Sequence, residues 1–207
     1  MGLPCAWLLL VAVLGQAAPE LPPPFPRPGT TQLLDNDVVT VWDVAWLKQQ
    51  YALHTHRYDL FGVAYVEGDR IITQGSAPGR RITTKAWVFQ QNVAGNTHVE
   101  EGAGETPMRA VLMEVKSAAP RTDVVDTADG LRQVVGAPSW ENRRTYAWAI
   151  PPGTKPPAHR HVRDAVELVF TAATPATTPT VAFVPAGTVH EGPTPEPGGR
   201  VFIFEIK

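Results

Sequence analysis

The sequence predicts an all-β protein made of two tandem antiparallel β-barrels. Two observations carry that expectation. Short apolar runs rich in β-branched and aromatic residues are separated by Gly, Pro, Asn and Asp, and one set of motifs occurs twice in the same order. Composition agrees. With 21 prolines and 17 glycines in 207 residues, a helical bundle is excluded, because proline fits neither helix interiors nor central strands. A hydrophobic fraction of 43% is ample for a packed core.

The expected strands lie at 38–46, 61–66, 85–89 and 109–116, then at 144–150, 165–170, 180–184 and 200–207. A helical turn is expected only at 126–136, between the halves. The duplication shows at three places. "RAVLMEVK" (109–116) is matched by "RVFIFEIK" (200–207). His54-x-His56-x-x-Asp59 is matched by His159-x-His161-x-x-Asp164. "AGNTH", ending at His98, is matched by "AGTVH", ending at His190. The first half carries extra residues between its motifs, and the stretch 68–81 reads as a loop that supplies them. These matches divide the chain into repeats at 30–118 and 119–207, preceded by a proline-rich linker at 18–29.

Residues 1–17 read as a signal peptide. Ala6 to Leu14 is an apolar run too short to span a bilayer, and small residues at Gly15 and Ala17 suit cleavage after Ala17. The run lacks a preceding positive charge, so a retained anchor is the alternative. Cleavage would place the protein in a secreted or periplasmic setting and would remove Cys5, the one cysteine. The mature chain would then have no disulfide and no thiolate ligand. Net charge is −2 with no long basic cluster, which argues against nucleic-acid binding. A small-molecule ligand is the expected partner. Membrane association is not expected after cleavage, and a homodimer is compatible with the sequence.

Candidate chemistry rests on histidine. Residues i and i+2 of a strand share a face, so His54 with His56, and His159 with His161, can converge on one point. Imidazole is the commonest protein ligand for ions such as Zn, Cu, Fe and Ni. A third ligand must come from elsewhere, and His98 and His190 can enter from the opposite barrel wall. All six histidines of the chain fall into these two matching sets.

These residues resemble the two signature motifs of the cupin superfamily. In the second half, Gly153 leads to His159-x-His161, and Pro185-x-Gly187-x-x-His190 follows. The first half is a weaker copy, with Val93 where the second motif has proline. Together the halves resemble a bicupin, and "HTHRYDLFGVAYVEG" with "FVPAGTVHEG" is similar to small cupins of the β-alanine-degradation type. The resemblance implies a small cupin-type barrel, a jelly roll or double-stranded β-helix, in each repeat, with a ligand cavity inside. It also implies a divalent metal ion (Fe, Mn, Ni, Zn or Cu) held by three His and one Glu. The sequence departs from it at the glutamate. Leu60 and Phe61, and Ala165 and Val166, occupy the places where that ligand belongs. Asp59 and Asp164 come early, at a turn, and either swing inward as ligands or cap the turn. Glu167 comes late and, by strand alternation from Val166, is expected to point outward.

Five tryptophans (Trp42, Trp46, Trp87, Trp140 and Trp148) are expected in core or inter-barrel packing. Glu100, Glu101 and Glu191 are expected as surface charge, with orientation of an imidazole as the alternative. The leading functional expectation is an exported metal-binding bicupin, with a dioxygenase-like oxidoreductase ahead of an isomerase or hydrolase. One alternative is a non-catalytic barrel that binds a small ligand or a partner, with metal absent or structural. Another is metal-free sugar isomerisation, which needs a His–Tyr pair from Tyr58 or Tyr65.

Overall fold

A computed structural model describes residues 20–116, 139–173 and 177–207. The expected helical turn at 126–136 and the signal segment lie outside these residues. The described residues form strands and no helix. In the first repeat these are β1 (Thr30–Asp35), β2 (Val39–Trp46), β3 (His54–Thr55), β4 (Asp59–Val66), β5 (Gly68–Thr73), β6 (Arg80–Thr84), β7 (Phe89–Asn92), β8 (Thr97–Gly102) and β9 (Met108–Val115). In the second they are β10 (Trp140–Glu141), β11 (Thr145–Ile150), β12 (Ala158–Arg160), β13 (Ala165–Phe170), β14 (Thr180–Val184), β15 (Val189–Glu191) and β16 (Arg200–Ile206).

Each repeat pairs a five-stranded antiparallel sheet with a smaller one. The large sheets run β1-β2-β9-β4-β7 and β10-β11-β16-β13-β14. The small sheets are β3-β8-β5-β6 and, among the described residues, β12-β15. This is the all-β jelly-roll architecture that the sequence predicts.

The central strands are buried on both faces, which is why they read as continuous apolar runs instead of alternating ones. On β2, β4 and β9, one face sends Trp42, Trp46, Leu60, Ala64, Met108 and Leu112 into the first barrel. The other face sends Val41, Phe61, Val63, Val111 and Met113 against Val166, Leu168, Phe170, Phe202 and Phe204 of the second repeat. Trp148, Ile150, Ala165, Val201 and Ile203 form the interior of the second barrel. The repeats therefore share a core built from the outer faces of their two large sheets. Trp87 and Trp140 pack against that shared core, while Trp42, Trp46 and Trp148 are interior to the barrels.

Three local expectations are corrected. The stretch 68–81 is not a loop. It is the β5–β6 hairpin, with Gly75 at positive φ in its turn, and it widens the small sheet of the first repeat. Residues 85–88 form a turn instead of a strand, with Trp87 itself at φ 65°, and pairing resumes at the polar strand β7. The proline-rich stretch is docked. Phe25 is 5% exposed inside the first barrel, and Pro22 and Gly29 accept backbone hydrogen bonds from Thr55 and Ala45.

Candidate metal centres and their cavity

The repeated strand pairings bring the histidines together. His54 on β3 stands directly opposite His98 on β8, and His159 on β12 opposite His190 on β15. The third histidine thus comes from the adjacent paired strand, not from the opposite wall. His56 and His161 follow just beyond β3 and β12 and turn toward the same points. In each set the candidate ligand atoms lie within 4.8 Å of one another. Two ligands bound to one ion at about 2.1 Å stand roughly 3–4 Å apart, so both sets approach a holding geometry.

Backbone and side-chain partners fix which ring nitrogen faces inward. His54 Nδ1 donates to the Ala52 carbonyl at 2.9 Å, and His159 Nδ1 donates to the Pro157 carbonyl at 2.8 Å. Each bond consumes the ring N–H and leaves Nε2 as the free lone pair. His161 Nδ1 lies 2.9 Å from Glu205 Oε1, which likewise turns Nε2 inward, 3.2 Å from His159 Nε2. In the first repeat, the Asn92 and Asn96 side-chain amides approach His56 Nε2 (3.0 Å) and His98 Nδ1 (3.2 Å).

The second set has a fourth member that sequence reasoning placed wrongly. Glu167 points into the barrel, 5% exposed, with Oε1 3.8 Å from His190 Nε2. Val166 is the residue that faces outward, into the core shared by the repeats. With both faces of β13 buried, alternation alone could not say which face was the interior. Gly62 occupies the corresponding place in the first repeat, six residues after the second histidine of its pair. A Cβ there would stand 1.9 Å from the Val111 carbonyl oxygen, so β9 presses too close to admit a side chain.

Asp59 and Asp164 join neither cluster. Asp59 accepts from the Ala94 backbone N–H at 3.0 Å and pairs with Arg143 and Arg144, while Asp164 accepts from Ala186 N–H at 2.9 Å. Both are turn-side acceptors. Glu100 is not surface charge. It is buried beside His98, with Oε1 3.5 Å from His98 Nε2. Its Oε2 accepts from Trp46 Nε1 and faces Arg27, each at 2.9 Å. Burial alone would raise its carboxyl pKa, but His98, Arg27 and Arg70 outweigh burial and hold it below the ordinary carboxylate range. Glu191 is exposed and paired with Lys155, and Glu101 is half-buried. Tyr58 is exposed and Tyr65 belongs to the shared core, so neither reaches a cluster.

Both sets pass a chemical test for a metal ion. His54 Nε2, His56 Nδ1, His98 Nε2, His190 Nε2 and Glu167 Oε1 are buried without hydrogen-bond partners. Leaving such atoms unmet costs about 1–3 kcal/mol each, and a cation satisfies them together. Burial lowers the pKa of His54 and His159. Burial and the neighbouring histidines lower His56 to about 3 and His190 to about 4. These rings are therefore neutral, and able to ligate, at pH 7. Burial raises Glu167 to about 7, so without a cation it is partly protonated there.

A pH dependence follows. The four histidines hold fewer protons folded than unfolded, so their contribution to stability falls as pH drops below 6.5 toward 4. Glu167, between about 7 and 4.5, and Glu114, whose carboxyl pKa burial also raises, work in the opposite sense, but they are two groups against four. Metal-free protein should melt progressively lower from pH 6.5 to 4 in a thermal scan. A flat profile would contradict the buried neutral state of these rings.

The first repeat also encloses a cavity of about 280 Å³, bordered by His56, His98, Arg70, Gln90, Asn92 and Glu100. Sequence reasoning missed Arg70. It sits on β5, in the stretch expected to be a loop.

No family model matches the sequence, and no curated protein matches it. Solved structures do. AerE from Microcystis aeruginosa covers 91% of this chain and 99% of its own, at 13% identity and a TM-score of 0.58. A cupin domain from Bordetella pertussis Tohama I matches at 21% identity over 45% of this chain and 99% of its own, with a TM-score of 0.40. A cupin 2 conserved barrel domain protein from Leptotrichia buccalis matches at 11% identity over 86% of this chain and 88% of its own, with a TM-score of 0.46. At these identities the likeness is one of fold. The chain has an all-β jelly-roll fold shared with AerE, with histidine clusters in both barrels that could hold metal ions.

Proposed function

We propose that this chain is an exported bicupin that binds a divalent metal ion and acts on a small polar organic molecule. The observation that supports it best is the convergence of ligand atoms at the same place in each repeat, with three buried ring nitrogens lacking partners in the first and His190 Nε2 and Glu167 Oε1 lacking them in the second. His159, His161, His190 and Glu167 would hold an ion in the second barrel, and His54, His56 and His98 in the first. Such an ion supplies Lewis acidity to a bound substrate. The chain's own groups hold the ligating rings in one tautomer, through Ala52, Pro157 and Glu205, and enclose the site. Dioxygenase-like oxidation leads as the reaction class, ahead of isomerisation and hydrolysis, because a three-histidine set leaves positions open for a second molecule.

Metal content decides the reading. Untagged protein, loaded and desalted, should carry close to one ion per intact cluster by mass spectrometry. His159→Ala and Glu167→Ala should strip the second repeat, with the histidine variant losing more. His54→Ala and His98→Ala should strip the first. Wild-type protein that stays metal-free under replete conditions would leave only a non-catalytic ligand-binding barrel.

A further inference from the structure

The charges around the first-repeat cavity do not balance. The charged residues bordering it are Arg70, Arg80 and Glu100, and Arg80 is exposed. Glu100 already has a close counter-charge in Arg27, at 2.9 Å, whose guanidinium lies 3.8 Å over the Tyr51 ring. Arg70 Nη1 also donates to Glu100, on Oε1, but at a longer 3.4 Å, and its side chain is only 15% exposed. One of its nitrogens donates to Gln90 Oε1 at 2.9 Å, and its Nε is buried without a partner. The cavity wall therefore carries one guanidinium more than its carboxylate can neutralise. Burying an uncompensated cation is costly, and an anion of matching shape offsets that cost.

We infer that the first-repeat cavity takes a small monoanionic carboxylate, held by Arg70 beside the His54, His56 and His98 cluster. The guanidinium fork matches a carboxylate through two parallel hydrogen bonds. In the metal-free cavity, one surplus positive charge suits one carboxylate better than a phosphate, which carries nearly two negative charges. The amides of Gln74 and Gln91 on the same wall offer hydrogen-bonding groups to hydroxyl or carbonyl groups on the ligand. At about 280 Å³ the space is at the small end for ligand pockets, which restricts the ligand to a few carbons. This inference deepens the function proposed above by naming the ligand class of one of its two barrels.

The test is calorimetric titration of the protein, metal-loaded and metal-stripped, with acetate, pyruvate, L-lactate, glycerol and inorganic phosphate. In the metal-stripped protein, where the charge comparison is made, at least one carboxylate should bind saturably, with glycerol and phosphate at least tenfold weaker. Arg70→Met should weaken the carboxylate at least tenfold with metal content unchanged. If Arg70→Met does not fold, Arg70→Lys should retain part of the affinity, and the carboxylate-to-glycerol ratio in the wild type still decides. Equal binding of glycerol, tighter binding of phosphate, no carboxylate binding at all, or carboxylate binding indifferent to Arg70 would each overturn the inference. Arg70-dependent carboxylate binding in a protein that holds no metal would sink the metal reading alone. Metal loading without carboxylate binding would sink this inference alone.

Discussion

Phe170→Ala should lower stability by about 3–5 kcal/mol, the range for emptying an aromatic site in a close-packed core. For a chain of this length that is a drop in melting temperature on the order of 10 °C. Phe170 is 1% exposed. Its ring lies 5.3 Å from Tyr65 and 5.3 Å from Trp87, both in the first repeat, and 5.8 Å from Phe202 in the second. It is therefore a second-repeat residue whose packing partners come largely from the first. Truncation leaves a cavity between two sheets that cannot collapse without moving a whole barrel. Urea denaturation of Phe170→Ala beside Val88→Ala, an exposed position, measures the difference. A loss below about 1 kcal/mol at Phe170 would mean that the repeats do not depend on this shared core.

Glu205→Ala should be comparably damaging and should also weaken metal binding in the second barrel. Glu205 is fully buried. One oxygen lies 2.9 Å from His161 Nδ1, and the other 3.7 Å from Arg163, itself 2% exposed. Removing one member of a buried charged cluster costs about 3–5 kcal/mol, because the remaining charge loses its compensation. The His161 ring would also lose the contact that turns Nε2 toward His159 and His190. Changes of that kind lower metal affinity roughly 10–100-fold. Metal titration at low temperature, where the variant remains folded, should show weakened affinity in the second repeat and unchanged affinity in the first. Wild-type affinity in both would show that Glu205 does not orient His161.

The matched segments "RAVLMEVK" and "RVFIFEIK" were legible as a repeat, but the work of their glutamates was not. Glu205 meets a histidine, whereas its counterpart Glu114 accepts a hydrogen bond from Trp42 Nε1 at 2.9 Å. The long strands and the pairing of the histidine sets were readable because duplication repeats both the apolar runs and the ligand spacing. Strands such as β8, "THVEEG", were not, because buried His98 and Glu100 make an inward-facing strand look like a polar loop. The inward turn of Glu167 escaped for a different reason. A strand buried on both faces has no polar side to mark its outside, so period-two logic gives two faces and no label for either. Arg27 and Arg70 were hidden because their partner, Glu100, is far from both in sequence and the proline-rich stretch gave no sign of docking.

The close approach at Gly62 bears on how closely the two barrels can match one another. Because β9 packs against a residue without a side chain, placing a carboxylate there would mean moving a central strand, and with it the core shared by both repeats. No single substitution at that position can give the first barrel the donor that Glu167 gives the second. The difference in ligand set is thus fixed by backbone packing: the first barrel cannot reach the four-ligand set of the second by one step.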